Sequence, residues 1–467
     1  MAFLIGGANS ASGGYEVSNS LRVEADDSPK LSKTVSTATN TTKMTLSLWY
    51  KLGEPADMAF LSKFADSDNR FHLRIMAAGH LLAYNNVAGT YHYKTTTAQF
   101  RDPSAWYNFV FVYNTDDSTA ADRVKIYANG VRLTSFVNNT NPGDGEALKI
   151  ASDTSNPLKV LCSNDEDAYL SGCVSDFYYI DGDNRAPTDF GEYDGSSGIW
   201  KPKEYTGGFG NNGFKLEFKQ VGVGTASAST VGADTSGNDH HLTSANIAAI
   251  DIITDSPTNN FCTMSPVAKD PNITLTEGNL KFTSGGSGGV VGTQAVANGK
   301  WYWEVKAVDT GADCQIGIWD TNFGSGFPYN QYVGVGESWG YINFNGKPVH
   351  NGSQGSAITT IGDADIVMMA LDMDNLKMWF GINGTWLSSG DPAAGSGEQH
   401  SGITDSFMTP AIASFSGTSG YDWQFNFGNP IYANSSSQAD DNGYGDFEYD
   451  VPTGFYSLCT KNLAEYG

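Results

Sequence analysis

Residues 299–320 read GKWYWEVKAVDTGADCQIGIWD, and this stretch narrows the folds open to the chain more than any other. Aromatic and β-branched residues alternate with polar ones from Trp301 to Lys306, so one face packs and the other meets water. A Gly-containing turn at 309–313 leads to a second apolar run at 315–319. The pair predicts a hairpin forming one wall of a β-sandwich. Trp301 and Trp303 share a face two residues apart, predicted to be the inner one. The same rhythm recurs as MTLSLWYKL at 44–52, AWYNFVFVY at 105–113, RVKIY at 123–127 and LKMWFGI at 376–382. A long strand is predicted over 168–180, with a bulge at Gly172. Asn129-Gly130 and Asn383-Gly384 are dipeptides that close two-residue hairpins.

Strand after strand with Asn, Asp and Gly turns predicts an all-β chain: two antiparallel β-sandwich (jelly-roll) domains with a short N-terminal arm. The arm covers 1–20, the first sandwich 21–255 and the second 256–467. Residues 186–255 are the hardest to place, either completing the first sandwich or bridging the two. The arm begins with an apolar tip, Phe3, Leu4 and Ile5, followed by Gly, Ser and Asn. Such a tip serves either as a strand on the first domain's edge or as an anchor into a larger assembly.

Charge limits the partners. The net charge is −24, and no arginine follows Arg185. Neutralising phosphates takes clusters of Lys and Arg, so nucleic acid and anionic membrane surfaces are poor partners. Carbohydrate, a divalent cation or a protein surface suits an acidic chain better. No apolar run is long enough to span a bilayer, and the first residues lack the basic start of a signal peptide. The five cysteines, Cys162, Cys173, Cys262, Cys314 and Cys459, form no metal-type CxxC pair. Buried thiols are the favoured reading. Cys162 with Cys173, and Cys262 with Cys459, are the pairings a disulfide reading would choose.

Trp106 followed by FVFVY, then RVKIYANGVRL, then LSGCVSDFYYIDG, resembles the laminin-G/pentraxin type of concanavalin-like jelly roll over about residues 21–185. GKWYWEV, IGIW, WGY, DIVMMALD, KMWFGING and a late FNFG resemble a SPRY domain across most of 270–450. The whole layout, from MAFLIGGAN through DTSGNDHHLTSAN to FYSLCTKNL, resembles virion proteins of marine tailed bacteriophages. These resemblances imply a structural protein made in the host cytoplasm and exposed on the particle surface. They imply a tail-fibre or receptor-binding adhesin for a host-surface glycan, with a head decoration or head fibre as the alternative. The arm would then meet other virion proteins, and analogy with fibres implies a homotrimer.

An enzyme needs its carboxylates. Concanavalin-like glycanases place paired acids on one strand, and no ExDxxE pattern occurs here. Glu448-Tyr449-Asp450 is the nearest fragment. No GxSxG, HExxH or phosphate loop is present, and His240-His241 reads as a turn. A glycan depolymerase is therefore the third reading, behind two non-enzymatic ones. For glycan stacking the candidate aromatics are Tyr84, Tyr91 and Tyr93 in the first domain, and Phe327, Tyr329 and Tyr332 in the second. The alternative is that these rings face the cores. No motif requires a cofactor. The laminin-G resemblance implies Ca²⁺ at the sandwich rim, held by oxygen ligands. The candidates are Asp26, Asp27, Asp66, Asp68, Asn164, Asp165 and Asp167, and the alternative is ordinary polar loops.

Overall fold

In the strand Lys43–Leu52, Met44, Leu46, Leu48, Tyr50 and Leu52 all join one buried cluster. That is the consequence of period-two alternation on a pleated strand. The computed structural model describes residues 4–5, 14–163, 167–311, 313–322, 333–415 and 420–467. The chain divides into two units, one spanning Ala11–Thr258 and the other joining Met1–Ser10 to Asn259–Gly467. Both are built of antiparallel β-sheets.

The Ala11–Thr258 unit is a sandwich of two sheets. The first runs in the order Val131–Leu133, Val124–Ala128, Trp106–Asn114, Lys43–Leu52, Gly172–Asp181, Ser20–Val23, Ile252–Ile253. The second runs Phe136–Asn139, Thr90–Gln99, His80–Val87, Asn69–Ile75, Met58–Asp66, Leu158–Val160, Lys30–Lys33, Thr243–Ala245. Phe109, Phe111 and Tyr113 from the first sheet meet Phe71, Leu73 and Ile75 from the second in a continuous core. The predicted strand at 168–180 is Gly172–Asp181, and Gly172 is its first residue. Its register shift lies between Ser175 and Tyr178, where Asp176 adopts a left-handed φ of 48°. A buried, hydrogen-bonded carboxylate thus takes the bulge that the glycine was expected to hold. Tyr15 and Tyr178 both donate to Asp176, at 2.9 and 3.0 Å.

Of residues 186–255, Phe190, Trp200, Tyr205 and Phe209 cover the outer face of the first sheet, while Phe214–Leu216, Thr243–Ala245 and Ile252–Ile253 add strands to the two sheets. Trp200 donates through Nε1 to Asn108 Oδ1 at 3.1 Å. Lys51 pairs with Asp255 at 2.8 Å, with both side chains 3% exposed, and Trp106 Nε1 donates to the same carboxylate at 3.1 Å. This cover explains why Lys43–Leu52 and Gly172–Asp181 are buried on both faces.

The second unit also has two sheets. One orders Met264–Lys269, Gly288–Gly292, Met408–Ser414, Cys314–Asp320, Ser338–Ile342, Lys347–His350, Ser353–Gln354. The other orders Ile273–Thr276, Lys281–Ser284, Tyr421–Asn426, Lys300–Asp309, Ile366–Asp372, Lys377–Ile382, Thr385–Trp386. Lys300–Asp309 and Cys314–Asp320 therefore lie in opposite sheets, and the hairpin expected at 299–320 does not form. Trp301, Trp303 and Val305 enter the core from one side, and Ile316 and Ile318 from the other. Periodicity fixes which face of a strand packs but not which strand lies beside it.

The opposite face of Lys300–Asp309 is covered by later chain. Tyr302 packs edge-on to Phe447 at 5.1 Å. Glu304 is fully buried and accepts hydrogen bonds from Tyr302 Oη (2.8 Å), Glu448 N (2.9 Å), Tyr449 N (2.9 Å) and Asn426 Nδ2 (3.3 Å). Leu4–Ile5 pairs in parallel with Gln294–Ala295, not with an edge of the first sandwich. All five cysteines are buried and none forms a disulfide.

Candidate functional site

The strand Asn69–Ile75 sends Phe71, Leu73 and Ile75 into the core and Arg70, His72 and Arg74 to the opposite face. Register then sets their neighbours. Tyr93, Tyr84, His72, Ser62 and Lys159 stand side by side on five successive strands. Tyr91, Asn86 and Arg70 form the adjoining row, and Thr95, Leu82 and Arg74 the next on the other side. Cross-strand neighbours on one face are close enough for their side chains to interact.

Tyr84 lies at the centre of a stack. His72 covers it at 4.3 Å with rings 15° apart, and Tyr93 at 5.7 Å and 29°. Arg70 Nε donates to its hydroxyl at 3.3 Å, and the guanidinium carbon is 5.5 Å from its ring centroid. With its neighbours on either side and 5% exposure, Tyr84 is a support for the face and not a platform for a ligand. Tyr93 is half-buried. Tyr91, 43% exposed and 6.3 Å from Tyr84, is the open ring. Burial, with Arg74 and Arg70 beside it, holds the His72 imidazole well below its ordinary pKa. It is neutral at pH 7, with ring nitrogens suited to hydroxyl groups. Ser62, Phe64, Arg70, His72, Arg74 and Ser163 border a shallow open hollow.

The structure separates the predicted ion ligands. Asp26 and Asp27 sit in an exposed 3-10 turn, Ala25–Asp27, capped by Glu24. Asp66 accepts from Asp68 N and from the amide of Asn69, both at 2.9 Å. Asn69 thus turns its donor group, not its oxygen, towards the carboxylate, and a cation cradle needs the oxygen. Asp167 accepts from the Ser163 hydroxyl and lies 3.8 Å from Arg74. Among the described residues no three His, Cys, Asp or Glu side chains gather as a metal-binding group. The described candidates therefore do not fit a Ca²⁺ ion. Asn164, Asp165, Phe3, Phe327, Tyr329 and Tyr332 lie outside the described residues. His241 Nδ1 accepts from Asp234 N at 3.0 Å, which ties the His pair into its turn.

Sequence reasoning passed over Arg70, His72, Arg74, Ser62 and Lys159. The alternation in RFHLRI, residues 70–75, was the signal for the first three.

Residues 24–182 match the family model of the concanavalin A-like lectin/glucanases superfamily, Laminin_G_3. Residues 300–429 match that of the SPRY domain. The chain carries a laminin-G/concanavalin-like domain followed by a SPRY domain. Among solved structures, the SPRY domain of human HERC1 aligns at 16% identity over 37% of this chain and 99% of that one, with TM-score 0.30. The TRIM65 PSpry domain aligns at 17% identity over 36% and 92%, with TM-score 0.27. Stonustoxin aligns at 19% identity over 35% of this chain and 27% of its own, with TM-score 0.28. No curated protein matches the chain. A lectin-like domain beside a SPRY domain suggests a role in binding. The aromatic and cationic face belongs to the laminin-G/concanavalin-like domain, and all five of its strands lie within residues 24–182.

Proposed function

We propose that this chain is a non-enzymatic adhesin whose laminin-G/concanavalin-like domain recognises a glycan on the outer face of its second sheet. The observation that carries this reading is the exposed ring of Tyr91 beside the half-buried Tyr93 and His72, which stack on either side of the supporting Tyr84. An open aromatic ring offers the apolar face of a sugar a stacking surface, and hydroxyl and imidazole groups fix its orientation. The row holds no pair of carboxylates of the kind that glycosidases place across a scissile bond, which supports binding without cleavage. The chain-wide resemblance to phage virion proteins supports a place on the virion surface, with the glycan on the host. On this reading the tip Phe3, Leu4 and Ile5 belongs to contacts with other virion proteins.

Binding of the full chain to a glycan array tests the reading, with Tyr91→Ala as the control. Retained array signals in that variant, or release of reducing sugar from a bound glycan, would refute it. Locating the chain by labelling intact particles tests the virion assignment, and a label confined to the host cell would end it.

A further inference from the structure

We infer that the ligand of this face is an uncharged, hydroxyl-rich oligosaccharide, read by His72 and Tyr93 beside the open ring of Tyr91, a proposal that rests on the glycan-binding reading above. The cations of the face are already engaged. Arg70 donates to the Tyr84 hydroxyl and lies over its ring, and Arg74 meets Asp167 at 3.8 Å. Both have further interactions within the chain, and Lys159, at the end of the row, is held within the chain as well. An anionic sugar would have to displace those partners and then face the carboxylates that bound the site. Asp66 and Asp68 are exposed in the turn that opens Asn69–Ile75. Asp68 O accepts from Gly89 N at 3.0 Å, which sets that turn against the one preceding Tyr91. At the Arg74 end stands Asp167, its side chain 67% exposed. With a net charge of −24 on the chain, the field over the face favours a neutral ligand.

The groups left open suit hydroxyls. Among the described residues no hydrogen bond engages the ring nitrogens of His72 or the hydroxyls of Tyr91 and Tyr93, and none of these atoms is sealed from solvent. A phenol both donates and accepts, and a neutral imidazole carries one donor and one acceptor. Burial, then Arg74 and Arg70, hold His72 in that neutral form. The two arginines thus act on the ligand through His72, which accepts from one sugar hydroxyl while donating to another. His72 and Tyr93 flank Tyr84 on strands two apart, about 10 Å across the sheet. That is wider than one pyranose ring, so the two groups read different sugars of one chain. Tyr91, two residues along the strand from Tyr93, supplies the apolar surface between polar contacts.

The experiment uses the full chain against neutral oligomers of glucose, galactose and mannose, uronate and sulfated oligomers of equal length, and deoxy analogues of the neutral binder. We expect a neutral oligomer to bind at least about fivefold more tightly than its acidic counterpart, the effect of a like charge held close by in water. Raising salt to about 0.5 M should leave the neutral affinity unchanged and narrow that gap. His72→Phe and Tyr93→Phe keep a ring in place and should each lower affinity about threefold to tenfold, the worth of one hydrogen bond, with unchanged melting temperature. Each should also lose the discrimination between the neutral binder and one of its deoxy analogues, which a change in packing alone would not produce. Equal or tighter binding of an acidic oligomer would overturn this inference and leave the adhesin reading standing. Full affinity and intact discrimination in both Phe variants would overturn the roles of His72 and Tyr93. No binding anywhere on the panel would overturn both the inference and the reading beneath it.

Discussion

Glu304→Ala removes the acceptor that binds the chain at 446–449 to the strand Lys300–Asp309. Four donors lose a partner: Tyr302 Oη, Glu448 N, Tyr449 N and Asn426 Nδ2. A buried donor left unsatisfied costs about 1–3 kcal/mol. Asn426 keeps a second acceptor in Asp446 O at 2.8 Å, so three donors bear most of the loss. Against this stands the gain from no longer burying a carboxylate, on the order of 1–2 kcal/mol. Three donors less this gain leave a net loss of about 1–8 kcal/mol in the second unit. Burial holds the Glu304 carboxyl above its ordinary pKa. The folded state therefore keeps its proton at a pH where the unfolded chain has released it. Glu304 thus contributes a stability that is highest at low pH and falls as pH rises from the ordinary carboxyl range through the folded value. Glu304→Gln abolishes that slope, and it also places an amide donor against donors. Denaturant titration followed by tryptophan fluorescence, at pH 4 and pH 7.5, measures both effects. A loss below about 0.5 kcal/mol in Glu304→Ala, or an unchanged pH slope in Glu304→Gln, would refute the reasoning.

Tyr91→Ala should abolish glycan binding while changing stability by less than about 0.5 kcal/mol, because the ring is exposed; calorimetry and a binding isotherm check the two separately. Asp255→Ala should cost about 3–5 kcal/mol by leaving Lys51 charged, buried and without its carboxylate, and a thermal melt of the first unit reads it. Burial pushes Asp176 up to about 6. Its burden on the first unit therefore grows as pH rises from about 4 to 6 and is constant above. Asp176→Asn should remove that dependence, worth on the order of 3 kcal/mol; parallel unfolding slopes in wild type and variant would contradict it.

The fold was legible where local chemistry decides it. Asn129 and Gly130 adopt φ of 47° and 78° between paired Ala128 and Val131, the turn their identities announce. Trp301 and Trp303 face the core, as their spacing requires. Partner choice was not legible. A strand's alternation is the same whether its neighbour is next in sequence or a hundred residues away, so the separation of Lys300–Asp309 from Cys314–Asp320 left no local trace. The same limit hid the pairing of Leu4–Ile5. At the site, the tyrosines of 84–93 could be picked out as a group but not ranked. Only the register that sets Tyr84 between His72 and Tyr93 shows which ring is spent inside the face and which is open.

Each sandwich closes where the two ends of its main stretch, Ala11–Thr258 or Asn259–Gly467, meet. Ser20–Val23 and Lys30–Lys33 pair with Ile252–Ile253 and Thr243–Ala245, and Phe261 bridges to Cys459 while Cys262 N donates to Leu458 O. On the ribosome, then, neither sandwich is complete until its last strand has emerged. At ordinary elongation rates the opening strands of the first unit wait on the order of tens of seconds for their partners. Over that interval unpaired edges and half a core stand open to other nascent chains, and the high sequence separation of the closing pairs slows the final step further. Joining the ends of either unit with a short linker and reopening it at a hairpin such as Asn129-Gly130 would bring those late partners together from the start.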